Sequence, residues 1–277
     1  MILSIITINR NNAFGLEKTM RSVQAQTFKA FEYVVIDGAS TDDSVDVIRK
    51  RESQFGGRLK WASEPDSGIY NAMNKGIRMA SGDYIQILNS GDMLVAPDVI
   101  EHMLAEVQRI AENEGKKPDI VYGNMTKVDS DGKVIGKSGE TEYSLRQFYS
   151  STLNHDCAYI RRDLFEKYGY YDENLKIVSD WKWYLQAIGL GNVVPKYFDI
   201  DVTIFDAGGI SETNLALRNA ERRKVLEEVL PLAILWDYDH HAFDAVQMDR
   251  LRKHHLYWLV YFIERCMFML EKWHILK

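Results

Sequence analysis

The first hundred residues alternate short, wholly apolar runs with polar tips and amphipathic stretches, which predicts strands buried on both faces and separated by helices. Ile2 to Ile8 is apolar and β-branched almost throughout, and it runs out in Asn9-Arg10-Asn11-Asn12. Runs of this kind mark parallel strands covered by helices on either side. Phe31 to Ile36 repeats the pattern and stops at Asp37-Gly38-Ala39-Ser40. Leu59-Lys60-Trp61 is shorter and leads into Ser63-Glu64-Pro65-Asp66-Ser67-Gly68, and Tyr84 to Leu88 meets Asn89-Ser90-Gly91-Asp92. Between these strands, helices are predicted over Glu17 to Ala25, through Val45, Ile48 and Arg49 after a cap at Ser40 or Thr41, and from Tyr70 to Met79. The β-α-β-α order implies an α/β fold with a mainly parallel sheet and helices on both faces.

Beyond Asp92, a helix from about Pro97 to Glu112 and a strand at Asp119 to Tyr122 continue the rhythm. Thr126 to Ile135, turning at Asp129-Ser130-Asp131-Gly132, reads as a hairpin, so the sheet becomes mixed in mid-chain. A strand at Cys157 to Ile160, a helix from Arg162 to Tyr168, the loop Gly169 to Glu173, a helix opening at Ser179-Asp180-Trp181 and one or two edge strands within Val193 to Thr203 complete a region expected to span 1–212. Helices from Asn214 to Val229 and from His240 to the end make a C-terminal helical region, 213–277.

A chain of 277 residues, 46% of them hydrophobic, buries a large core without staples. The two cysteines, Cys157 and Cys266, lie far apart and outside any Cys-x-x-Cys or Cys/His spacing, which argues against a zinc site or a disulfide framework and fits a reducing cytoplasm. A net charge of −6 disfavours general nucleic-acid binding, and Met1 to Ile8 lacks the basic start and cleavage site of a signal peptide. Leu256 to Leu270 is apolar apart from Glu264-Arg265, too short and interrupted for a membrane span. Arg250, Arg252, Lys253, His254 and His255 precede it. Such a segment could lie in the interface of a membrane with its tryptophans at headgroup level, or dock on its own domain or on a second copy as a homodimer.

The strand ends at Asn9, Asp37, Asp66 and Asp92 point polar groups toward one edge of the sheet, where open α/β folds bind ligands. Asp92 closes an Asn-Ser-Gly-Asp tip that is either a turn or the seat of a hard cation held by one carboxylate and phosphate oxygens. Asp37 can accept from a base or sugar, or cap the next helix.

These residues carry a resemblance. Ser4 to Arg10, Val34 to Asp42, Glu64 to Gly76 and the Leu88 to Asp92 tip resemble the ordered motifs of glycosyltransferase family 2. A looser match takes in His155, the Gly169 to Glu173 loop and Ser179-Asp180-Trp181, up to about residue 210. The resemblance implies a Rossmann-like GT-A fold with a donor half, 1–95, and an acceptor half, 96–212. It implies an inverting hexosyltransferase that takes sugar from a nucleotide diphosphate, with UDP expected. It places Thr7, Asn9, Arg10, Asp37, Asp66, Gly68, Asn71, Lys75, Asn89, Ser90 and Gly91 at the donor and Asp92 on Mn²⁺ or Mg²⁺. Family members commonly carry two adjacent acids at the tip, where this chain has Gly91 before Asp92. Asp180 matches the acceptor-side aspartate that acts as general base, or it caps the helix at Trp181. His155 meets the diphosphate, completes the metal shell or sits in the core. Trp181 is a sugar platform or a core residue. Lys75 faces the donor or solvent, and Gly208 to Ser211 is a lid over the site or a plain turn.

The implied acceptor is a glycan or lipid-linked hydroxyl in surface polysaccharide or glycolipid synthesis, reached from the cytoplasm at the inner membrane face. A sugar nucleotidyltransferase would open with a glycine-rich basic loop, and Thr7 to Asn12 has no glycine. A nucleotide-sugar-binding protein without turnover would not need both Asp92 and Asp180.

Overall fold

A computed structural model describes residues 3–141 and 143–272. Strands β1 (Leu3–Asn9), β2 (Phe31–Asp37), β3 (Leu59–Ser63) and β4 (Tyr84–Ile87) lie parallel in the order β3-β2-β1-β4. Helices α1 (Ala13–Gln24), α2 (Ser44–Glu52) and α3 (Ile69–Met79) join them. The expected cap of α2 at Ser40 or Thr41 is wrong: Asp43 takes that position, and the Ser40 hydroxyl turns to Asp37 instead.

The two faces of the sheet are filled by different helices because side chains alternate along a strand. Leu3, Ile5, Tyr33 and Val35 pack with Leu16 and Met20 of α1, Ile48 of α2, and Met103 and Val107 of α4 (Val99–Glu114). On the other face α3 comes so close that a Cβ at Gly76 would collide with Ile6 and stand 3.5 Å from Ile36. Glycine is what permits that approach.

The second half of the sheet adds β5 (Met93–Leu94), β6 (Ile120–Val128), β7 (Val134–Ser138), β8 (Ala158–Arg161) and β9 (Pro195–Asp206). The full order is β3-β2-β1-β4-β8-β6-β9-β5, with β7 paired to β6. Strand β8 runs antiparallel to β4 and β6, so the sheet is mixed. The expectation of an edge strand after Val193 is corrected, since β9 pairs parallel with β6 and antiparallel with β5. Its polar positions Asp199 and Asp201, both bonded by Asn124, come from one open face and not from an unpaired edge.

Short helices α5 (Leu145–Ser150), α6 (Asp163–Tyr168), α7 (Ser179–Tyr184) and α8 (Ile210–Thr213) position the loops, and one π-type turn, Leu185–Leu190, extends α7. One compact unit reaches Val225 and so includes most of α9 (Leu215–Val229), past the boundary expected at 213. The second unit, from Leu226, holds α10 (Leu232–Lys253) and α11 (Tyr257–Lys272). A single helix from His240 was expected. The chain instead breaks at His254 to Leu256, where His255 takes a φ of +56°. No helix among the described residues is long and apolar enough to cross a membrane.

Candidate active site

Asn9 and Asp37 are register partners at the ends of β1 and β2. Asp37 is fully buried and accepts four hydrogen bonds, from Asn9 Nδ2 (2.9 Å), Ser40 N (2.9 Å), Ser40 Oγ (2.5 Å) and Ser63 Oγ (2.7 Å). Burial alone would raise its pKa, but these donors outweigh it and hold the carboxyl below its ordinary range. A carboxylate has about four acceptor sites, so Asp37 is filled from within the protein and organises the strand ends. Asn9 Oδ1, by contrast, is buried without a partner. Beside them, Arg10 lies 3.7 Å from Asp66, whose other contact is the backbone N–H of Gly68 at 3.1 Å. Lys75 is turned away, to the Pro65 carbonyl (2.9 Å) and the Glu64 carboxylate (2.7 Å). Asn71 donates to Glu173 (2.7 Å), as does Asn74 (2.8 Å), latching α3 to the 169–173 loop.

The tip after β4 is clamped from below and from the side. Thr7 Oγ1, buried under the strand, donates to Leu88 O at 2.8 Å, and Tyr33 donates to Thr7. Asn12 and Ser90 exchange side-chain and backbone bonds. Thr19 Oγ1 accepts from Gly91 N (3.0 Å) and donates to Asp92 O (2.7 Å). Gly91 has a φ of +113°, so a side chain there would be strained. These bonds present Asp92, which is buried and accepts the backbone N–H of Asp206, at the end of β9, at 3.0 Å. Burial, followed by the charge of Asp156, raises the Asp92 carboxyl to a pKa of about 8.

The structure brings this tip together with Asp180 through one imidazole. His155 meets Asn89 Nδ2 with Nε2 and Asp180 Oδ2 with Nδ1, both at 3.1 Å, and Tyr70 donates to Asp180 Oδ1 at 2.8 Å. His155 and Asp180 are 16% and 15% exposed, so both are largely shielded from solvent while keeping some access to it. Burial opposes charge on the ring, but the hydrogen bond and charge of Asp180, then the charges of Asp156 and Asp92, raise its pKa. Burial would likewise raise Asp180, and the bond and charge from His155 together with Tyr70 lower it instead. The Nδ1–H of His155 therefore donates to the Asp180 carboxylate, each sustaining the other, while Nε2 accepts from the Asn89 amide. Asp180 lies inside the first turn of α7, not at its cap.

The glycosyl transferase family 2 model matches residues 4–169 of the chain. The chain belongs to that family. An uncharacterized glycosyltransferase of Mycobacterium tuberculosis is 34% identical over 188 residues, covering 67% of this chain and 68% of that protein. A PGL/p-HBAD biosynthesis glycosyltransferase of Mycobacterium bovis is 28% identical over 76% of this chain and 80% of its own length. Among solved structures, S. aureus TarS 1-349 with UDP-GlcNAc superposes at a TM-score of 0.62 with 19% identity, over 82% of this chain and 64% of that one. A Pyrobaculum calidifontis mannosyltransferase with GDP-Man and Mn²⁺ gives 0.57 at 17% identity, over 80% and 61%. The likeness confirms the GT-A fold, and this family 2 chain is a glycosyltransferase.

Trp181 is corrected as a sugar platform for this glycosyltransferase: it is 2% exposed and its indole N–H donates to Phe148 O at 2.8 Å. Gly208 and Gly209 lead directly into α8. Sequence reasoning passed over three residues that the site uses. Asp206 lies past the predicted end of the strand region at Thr203 and was given no role, although it is an acid at a strand end. Asp156, buried and bonded by Thr203 Oγ1 at 2.8 Å, stood behind His155. Tyr70 was given only as the first residue of a helix.

The donor set at the tip suits a divalent cation. Asp92, Asp156 and Asp206 crowd carboxyl groups into one place, where a cation could replace the proton that burial and mutual repulsion favour on Asp92, and Asp92 has one oxygen left after bonding Asp206. No group of three acidic, histidine or cysteine side chains forms a cage among the described residues, so a cation here would need ligands from outside the protein, such as phosphate oxygens or water.

Proposed function

We propose that this glycosyltransferase inverts the anomeric centre of a nucleotide diphosphate sugar, with UDP as carrier, and passes the sugar to a hydroxyl of a glycan or lipid-linked acceptor. The Asn89–His155–Asp180 bridge carries the reading, because it sets a donor-side tip and an ionised acceptor-side carboxylate in one crevice. Asp180 takes the proton of the attacking hydroxyl, and His155 keeps it charged in a half-dry environment. Asp92 and Asp206 would hold Mn²⁺ or Mg²⁺, which when bound sets positive charge against the leaving diphosphate. Asn9 Oδ1 offers an unused acceptor to the base, and Arg10 lies at the pocket rim with Asp66. The ligands in the titles of the structural neighbours, UDP-GlcNAc in TarS and GDP-Man with Mn²⁺ in the mannosyltransferase, support a nucleotide sugar and a divalent ion. The mycobacterial PGL biosynthesis relative supports a glycolipid acceptor.

Such acceptors sit at the inner face of the cytoplasmic membrane. Trp258, Tyr261, Phe262 and Phe268 of α11 are exposed behind the basic stretch Arg250 to His255, which suits an anionic lipid surface. The test of the chemistry is donor hydrolysis, with water as acceptor, read alongside UDP binding. Asp180→Asn removes cleavage and keeps nucleotide affinity, whereas Asp92→Asn weakens metal-dependent UDP binding. If UDP binds and the wild type cleaves no donor, the protein is a binding module and the reading fails.

A further inference from the structure

Helix α3 is tied to two segments that lie far apart along the chain. At its start it is bound to the loop 64–68: Lys75 donates to the Pro65 carbonyl, Asn71 Oδ1 accepts the Ser67 N–H at 3.4 Å, and Asp66 accepts the Gly68 N–H just ahead of the first turn. Along its side it grips the segment 171–173. Asn74, 1% exposed, pairs twice with the backbone of Tyr171, donating to the carbonyl (2.9 Å) and accepting the N–H (3.0 Å). Glu173 accepts the amides of Asn71 and Asn74, and Asp172 reaches Lys182 of α7 at 2.8 Å. Tyr70, Asn71 and Asn74 share one side of the helix, because positions three and four apart are neighbours.

Tyr70 is the member of this row that touches Asp180. Its hydroxyl donates to Oδ1 while His155 donates to Oδ2, so the carboxylate is held at both oxygens. The last torsion of an aspartate is broad, and a carboxylate bonded at one oxygen can turn about it. Bonded at both, its plane is fixed, and its remaining lone pairs face a set direction. Tyr70 is 4% exposed and packs its ring 5.6 Å from that of Tyr171. Burial, followed by the charge of Asp180, raises the phenol well above its ordinary range, so it donates and does not compete for a proton.

We propose that Tyr70 is a positioning residue: it fixes the plane of the Asp180 carboxylate from a helix that starts at the donor loop, so that the base is aligned to the donor. This rests on the glycosyltransferase reading above, in which Asp180 is the base, and names a residue which that reading does not require. The test is UDP release from UDP-glucose, UDP-galactose and their N-acetylamino forms, with saturating Mn²⁺ and over a pH series, for wild type, Tyr70→Phe and Asp180→Asn. Phenylalanine keeps the ring packing, and UDP titration reports that the variant is folded. In Tyr70→Phe kcat falls roughly ten- to a hundredfold, the cost of a misaligned group, while the donor KM stays within about twofold. The acidic limb of its profile moves up, because Asp180 has lost one of two donors. A purely structural role would leave that limb in place. An unchanged kcat, an unmoved limb, or a raised KM at constant kcat would each overturn the positioning role. Cleavage that survives in Asp180→Asn, or is missing in the wild type, strikes the reading of the base or of the enzyme itself, and the role of Tyr70 falls with it; those arms carry no change at Tyr70, so the two failures are told apart.

Discussion

Replacing His155 removes the group that keeps Asp180 charged, and the structure sets the size of the effect. Asp180 accepts two hydrogen bonds, from Tyr70 at 2.8 Å and from His155 at 3.1 Å, and its pKa is depressed below 3.8. A base held below its ordinary pKa accepts protons at every pH above that value, so the wild type keeps its rate through neutral and mildly acidic pH and loses it only in stronger acid. In His155→Ala the charge-assisted bond is lost, a change of about 1.5–3 kcal/mol, or roughly one to two pH units. The acidic limb of kcat/KM for donor hydrolysis then moves up by about one to two pH units. His155→Gln restores a neutral N–H donor to the carboxylate and recovers part of the shift. Saturating Mn²⁺ keeps the titration of Asp92 out of the profile. An acidic limb that stays in place in His155→Ala, or that survives in Asp180→Asn, would show that Asp180 is not the group supported by His155.

Asp206→Asn keeps the backbone N–H to Asp92 and removes one carboxylate, so Mn²⁺ affinity in the presence of UDP falls about tenfold, read from the electron paramagnetic resonance of free Mn²⁺. Unchanged affinity would leave Asp92 as the only protein ligand. Glu17 is held at a pKa of about 2 against an ordinary 4.5, chiefly by its hydrogen bond from Arg51. A depressed acid stabilises the fold above its unfolded pKa and loses that contribution as pH falls, here between pH 4.5 and 2. With the Glu17 side chain 26% exposed, the full shift is discounted by half. Arg51→Met accordingly costs about 1.5–2 kcal/mol in urea at neutral pH and flattens acid unfolding in that window. Sedimentation with vesicles tests the C-terminal segment: the chain pellets with anionic vesicles at low salt, and Trp258→Ala combined with Arg250→Gln, Arg252→Gln and Lys253→Gln abolishes it. Equal binding to neutral vesicles would refute the electrostatic part.

Strands β1, β2 and β4 were legible because they are buried on both faces and read as unbroken apolar strings. Strand β9 was misplaced because one of its faces is open, and the resulting alternation looks like an edge. Two-residue β5 is too short to carry any period. At the site, Asp92 and Asp180 stood out because each sits where a strand ends or a helix begins. Asp206 and Tyr70 did not, since their meaning depends on partners 114 and 110 residues away. Trp181 looked available because a sequence cannot say which side of a helix the core will claim.

The place of β9 has a consequence for how the enzyme matures on the ribosome. Its backbone fills the space between two strands made long before it, and its last residue completes the acidic tip. Until that segment emerges, a nascent chain carries β6 with a vacant flank and Asp92 without its amide partner. Translation products that stop short of residue 206 are therefore expected to be sticky and inert, even when they contain every motif of the donor half.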